Sequence, residues 1–118
     1  MVWLWLPVIV YMAGIFVVSN IPDPPMPSNV QDVSMHEAAY FGLALVLVRA
    51  LAGGRWAGVT LSTLALAFAI AVAYGASDEW HQSFVPNRHA ELRDLAADAI
   101  GALVATVSVG AWGIIRRL

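Results

Sequence analysis

Long apolar runs leave this chain few ways to fold. Residues 2–18 carry no charge, and residues 56–76 and 99–115 are also uncharged and mostly apolar. Each is about long enough to cross a bilayer as a helix. In hydrocarbon every backbone N–H and C=O needs a partner within the segment or in a closed barrel, so spanning helices are the expected solution. The composition agrees. The chain is 60% hydrophobic and 12% charged, whereas a soluble domain has about a quarter of its residues charged. It contains no cysteine, which excludes disulfides and thiolate-held metals. Its six basic residues are all arginine and form no basic block, so nucleic acid is not an expected partner. The length of 118 residues fits one domain, residues 1–118.

In chain order, residues 2–18 read as a first helix rather than a leader, since no cationic segment precedes the apolar run and no small-x-small cleavage site follows it. Pro7 falls in its first turns. Residues 21–27 hold Pro22, Pro24, Pro25 and Pro27 and cannot be helical; they predict a stiff connector. A second helix is expected from about Gln31–Ser34 to Ala52, and Gly53-Gly54 predicts a tight turn. A third helix is expected from about Trp56 toward Phe84, ended by Pro86-Asn87. That length is roughly 40 Å, so its last two turns should project past the hydrocarbon. A fourth is expected from about Glu91 to Arg116. Ala67, Ala71 and Gly75 form a stripe of small residues on the third helix, and Ala97, Gly101 and Ala105 form one on the fourth. Such stripes let helices pack closely in lipid. The fold expected is therefore all-α, an integral membrane bundle of four transmembrane helices.

Charge orients the bundle. The Gly53-Gly54 turn and the C-terminus hold Arg49, Arg55, Arg116 and Arg117 with no acid, while the opposite end holds Arg88, Arg93 and all eight acids. The positive-inside rule places both termini in the cytoplasm of a multi-pass inner-membrane protein. Trp3, Trp5, Trp56, Trp80 and Trp112 fall near the expected interfaces, as an aromatic belt would.

Ionisable residues beside a hydrocarbon boundary usually have work to do. Asp78, His81 and Gln82 stand at i, i+3 and i+4, on the face that continues the third helix's small stripe. Asp94 and Asp98 share a face with Gly101 and Ala105, and His36 shares one with Tyr40. Packing of the two stripes would bring the carboxylates and His81 together, with His36, Glu37 and Gln82 beside them and Arg88 available for an anionic group. Glu79 is expected to point away as a surface charge, His89 to be solvated, and Arg49 and Arg55 to set orientation. The residues suit acid–base work, a divalent metal site or phosphate binding. No established metal spacing is present, so no cofactor is certain and a divalent metal is one option. The bland alternative is a polar network that only sets helix register.

The stretch Ser77-Asp78-Glu79-Trp80-His81-Gln82-Ser83-Phe84-Val85-Pro86-Asn87-Arg88, followed by Asp94, Asp98 and Gly101, resembles the VanZ-like family. That family's pattern is similar: Asp-Glu, a Gln shortly after, Phe-x-Pro-x-Arg, then two further acids or amides and a Gly. A weaker likeness covers the Pro-rich connector, His36 and Tyr40. Asn87 stands where members often have Gly, and no basic residue precedes His36 in Asp32-Val33-Ser34. The resemblance implies a small bacterial envelope membrane protein; the family's namesake is associated with resistance to the glycopeptide teicoplanin.

Two functions are expected from these observations. In the first, Asp78, His81, Asp94 and Asp98 form the working core of an outward site. Around them His36, Glu37, Gln82 and Arg88 bind a lipid-linked or cell-wall glycan precursor. In the second, the chain is a small ion- or proton-coupled carrier, or an assembly subunit with the acids as helix glue, and forms a homo-oligomer.

Overall fold

The structure, a computed structural model, describes residues 2–20, 32–85 and 92–116. The Pro-rich connector, Arg88 and His89 lie outside the described residues. Four helices follow one another up and down: α1 (Val2–Ser19), α2 (Asp32–Leu51), α3 (Leu61–Gln82) and α4 (Leu92–Ile115). Among the described residues there is no strand. The fold is the expected all-α bundle.

The helices divide their work by polarity. By length and composition α1, α3 and α4 can each cross a membrane. The least apolar helix, α2, carries His36, Glu37 and Arg49, yet it supplies most of the core. Tyr40, Leu43, Ala44, Leu47 and Val48 are all buried. It packs against all three neighbours, most extensively against α4. A helix sheathed by other helices need not be uniformly apolar, because it meets little lipid. The outer helices show the converse. Ile9, Val17, Leu66, Leu103, Val107 and Ile114 are all exposed. So large an apolar surface is untenable in water and suits lipid tails. The chain is a membrane protein.

Close approach depends on missing side chains. A Cβ on Gly101 would lie 2.2 Å from the Glu37 carbonyl oxygen, so α4 touches the α2 backbone there. On α3, Gly75 lies against the Asp98 carboxylate and the Tyr40 ring. The sequence suggested a direct pairing of the two small stripes. α3 and α4 do pack together, but the backbone contact of α4 at Gly101 is with α2, and Gly75 of the α3 stripe meets Asp98 of α4 and Tyr40 of α2.

The turns also differ in detail from expectation. Gly53 and Gly54 adopt φ of 68° and 72°. Gly54 N–H donates to Arg49 O and Gly53 N–H to Ala50 O, at 2.8 and 3.1 Å, the paired bonds of a Schellman cap. Residues Trp56–Gly58 form a single 3₁₀ turn rather than the start of α3. Thr60 caps α3, exchanging bonds with Thr63 in a capping box. Beginning at Leu61, α3 is about 33 Å long and does not project two turns beyond its neighbours: Asp78, Glu79 and Gln82 are buried among them.

Arg49 has a local partner in the structure. Pro7 lies inside α1 and has no N–H to give the carbonyl four residues back. That carbonyl belongs to Trp3, and Arg49 Nη1 donates to it at 3.3 Å. At the same end the Arg116 guanidinium stacks 5.0 Å above the Trp56 ring.

Gly101→Ala is expected to lower the detergent melting point, costing on the order of 1–3 kcal/mol because backbone cannot yield to the new methyl. Gly14→Ala, which meets nothing within 4 Å, should be neutral or stabilising by up to about 1 kcal/mol. Equal effects in a thermal-unfolding assay would refute the close-contact account.

Candidate functional site

The polar side chains gather at the end where α1 and α3 finish and α2 and α4 begin. Asp98 is fully buried, and His36 is 9% exposed. His36 Nδ1 lies 2.7 Å from Asp98 Oδ1, joining α2 to α4. The other ring nitrogen, Nε2, lies 3.8 Å from Asp94 Oδ2. Glu79 completes the group from α3: ligand atoms of His36, Glu79 and Asp98 all fall within 4.8 Å of one another. Asp78 and Asp94 are both near enough to act electrostatically on Asp98.

A second group links α1 to α3. Ser19 donates to Asp78 Oδ1 at 2.5 Å. Gln82 Nε2 lies 3.4 Å from Ser19 Oγ and 3.5 Å from Asp78 Oδ2. Ser19, Asp78 and Gln82 are all buried. Beside them His81 turns toward α1, stacking on Phe16 with ring centroids 4.8 Å apart and placing Nε2 2.8 Å from Asn20 Oδ1.

The structure thus brings His36, Asp94 and Asp98 into one cluster, with Asp78 and Gln82 in the adjoining one. His81 joins neither buried carboxylate group. Glu37 is half-buried, and its backbone carbonyl is what Gly101 meets. Arg88 lies outside the described residues.

Glu79, read from sequence as a surface charge, is instead buried in the main cluster. Helical arithmetic explains both departures. At 3.6 residues per turn, Glu79 is about 40° around α3 from Gly75 and Gln82 about 20°, but His81 is about 120° away. The small stripe therefore points to Glu79 and leaves His81 on the flank. Ser19 and Asn20 were missed because their partners lie some sixty positions away in the chain.

The Tyr40 hydroxyl and Asp98 Oδ2 have no hydrogen-bond partner among the described residues. Both residues border Gly75. Chemically, a His–Asp pair with carboxylates close by can hold and pass a proton, or both groups can turn onto a cation.

The chain matches the VanZ/LLP1 family over residues 28–113, well over half its length. It belongs to the VanZ/LLP1 family. No curated protein and no solved structure matches it. The family match takes in α2, α3 and most of α4, and so includes every residue of the His36–Glu79–Asp94–Asp98 cluster. Within this VanZ/LLP1 chain, Ser19 of α1 lies outside the matched span and reaches Asp78 inside it.

Ser19→Ala is expected to cost about 1–3 kcal/mol, since it strips a buried carboxylate of its donor. Combined with Asp78→Asn, the loss should be clearly less than the sum of the two. Additive losses in chemical unfolding would contradict the Ser19–Asp78 link.

Proposed function

We propose that this VanZ/LLP1 envelope protein uses the buried His36–Glu79–Asp94–Asp98 cluster to bind and process a lipid-linked or cell-wall glycan precursor. One observation carries the reading: three helices of a lipid-adapted bundle bury carboxylates and an imidazole together, one to two turns below their ends. By helical rise, His36 lies about 6 Å inside α2, Glu79 about 5 Å inside α3 and Asp98 about 9 Å inside α4. That depth supports a lipid-linked substrate. A polar head on a membrane-embedded tail reaches such a level without leaving the bilayer, whereas a free sugar has no tail to hold it there.

In this reading His36, Asp94 and Asp98 are the working groups, with Glu79 added to them. Asp78 and Gln82 shape the floor through Ser19, and Glu37 backs the α2–α4 contact. His81 acts from the flank, and Arg88 meets an anionic group of the precursor. The helix-glue reading is favoured for Asp78, because Ser19 and Gln82 both engage it. The arginine-bearing end faces the cytoplasm of the inner membrane, so both termini lie inside and the cluster faces outward. The link to teicoplanin-type glycopeptides rests on the family resemblance.

The test separates activity from folding. In a host lacking its own copy, His36→Gln and Asp98→Asn should lower the detergent melting point yet still give folded protein, to which every effect is normalised. They should also abolish the protein's effect on glycopeptide susceptibility and on the lipid-linked precursor pool. Parallel loss of yield and effect would make the cluster structural, and unchanged effect would remove it from the activity. Orientation is read separately in this cysteine-free chain. Ser83→Cys should react with a membrane-impermeant thiol reagent from outside and Ala57→Cys should not; the reverse pattern would invert the topology.

A further inference from the structure

We propose that His36, Glu79 and Asp98 form a binding site for one divalent transition-metal ion, zinc fitting best. The inference goes beyond the envelope reading and does not need it, because metal binding can be measured whether or not any precursor is processed.

Three observations converge. The first is geometry. One imidazole nitrogen and two carboxylate oxygens, each from a different helix, lie within 4.8 Å of one another. Zinc bonds to nitrogen and carboxylate oxygen are about 2.0–2.2 Å, so two ligands of one ion can be up to about 4.4 Å apart. Side-chain rotation of about an ångström closes the group on an ion. Glu79 and His36 both have rotatable bonds to supply it.

The second is Asp98 itself. It is fully buried, one oxygen is engaged by His36, and Oδ2 has no hydrogen-bond partner among the described residues. A bare carboxylate oxygen at this depth is costly unless something positive meets it. Gly75 lets α3 lie against it, since a Cβ there would be 2.9 Å from Oδ2. A second buried polar atom without a described partner, the Tyr40 hydroxyl, belongs to the residue one helical turn after His36. Helix side chains lean toward the N-terminus, so Tyr40 leans toward the level of His36.

The third is the donor set. If Asp98 served only to tie α4 to α2, His36 would suffice as its partner. A second carboxylate within 4.8 Å works against such a tie, because two like charges in a low-dielectric setting repel. One imidazole with two carboxylates is a mixed nitrogen–oxygen set, which suits zinc better than magnesium or calcium. Three protein ligands leave a fourth position, as in zinc sites that bind a water or a substrate group. Asp94, 3.8 Å from His36 Nε2, borders that position or orients the ring.

The experiment uses the full chain purified in detergent, stripped with chelator and reloaded. Zinc is measured by elemental analysis and titration, and cobalt(II) is used as a visible spectroscopic substitute. Wild type should retain about one equivalent of zinc per chain. Cobalt should give the intense visible bands of a four-coordinate site, quenched by zinc. Glu79→Gln, His36→Gln and Asp98→Asn should each weaken binding at least tenfold. Zinc should raise the melting point of wild type but not of Glu79→Gln. Ser77→Ala, exposed on α3 two positions from Glu79 and outside the ligand set, should bind as wild type. Substoichiometric zinc in wild type would overturn the proposal, as would Glu79→Gln binding with wild-type affinity. Metal-free melting of each variant is read alongside, and binding is compared only among variants that melt cooperatively. Loss of the envelope effect with zinc still bound would count against the proposed function and leave the metal site standing.

Discussion

The contact between His36 and Asp98 governs the arrangement of this bundle. A carboxylate with no solvent exposure is tolerated only when a partner meets it, and the 2.7 Å approach of His36 Nδ1 provides one. Breaking a buried pair by removing one member typically costs about 3–5 kcal/mol, because the remaining charge is stranded. The pair fixes the register of α2 against α4. In a membrane this matters more than in water, since apolar side chains are nearly indifferent between lipid and one another and do little to set register.

The rest of the architecture accommodates that pair. α2 is the helix least suited to lipid, and it is the one enclosed by the other three. Gly101 lets α4 come against the α2 backbone beside Glu37, one residue from His36, and Gly75 leaves room for the Asp98 carboxylate against α3. Small residues and buried acids thus form one device: the glycines set the distance at which the polar groups can meet. Outside it the surface is apolar, as lipid requires. At the opposite end the chemistry is basic and local. Arg49 meets the carbonyl that Pro7 leaves without its helical bond, and Arg116 covers Trp56.

Much of this was legible in the sequence because it depends on period and length. Apolar runs gave four helices, the glycine pair gave the turn, and the helical spacing of Asp94 and Asp98 with Gly101 and Ala105 put both acids on the buried face of α4. The start of α3 was misplaced because Trp56 and Ala57 continue the apolar pattern; the signal that wins is the Thr60–Thr63 cap, which is local and polar. Glu79 was misjudged because it was compared with its neighbour Asp78 rather than with Gly75 four residues earlier. The pairing of α4 with α2 at Gly101 was not legible. Small stripes announce that a helix packs closely, but not against which partner, and that choice depends on side chains sixty positions away. For the same reason Ser19 gave no sign of its bond to Asp78.

The central claim is an energetic coupling between two side chains on different helices. A double-mutant cycle on reversible unfolding in mixed micelles, run in metal-free buffer with His36→Gln, Asp98→Asn and the pair, measures it directly. The account predicts a coupling of at least about 1.5 kcal/mol, with the double variant no worse than the poorer single one by more than a small margin. Losses that add to within about 0.5 kcal/mol would mean that the two side chains do not hold each other, and the bundle would need another organising contact.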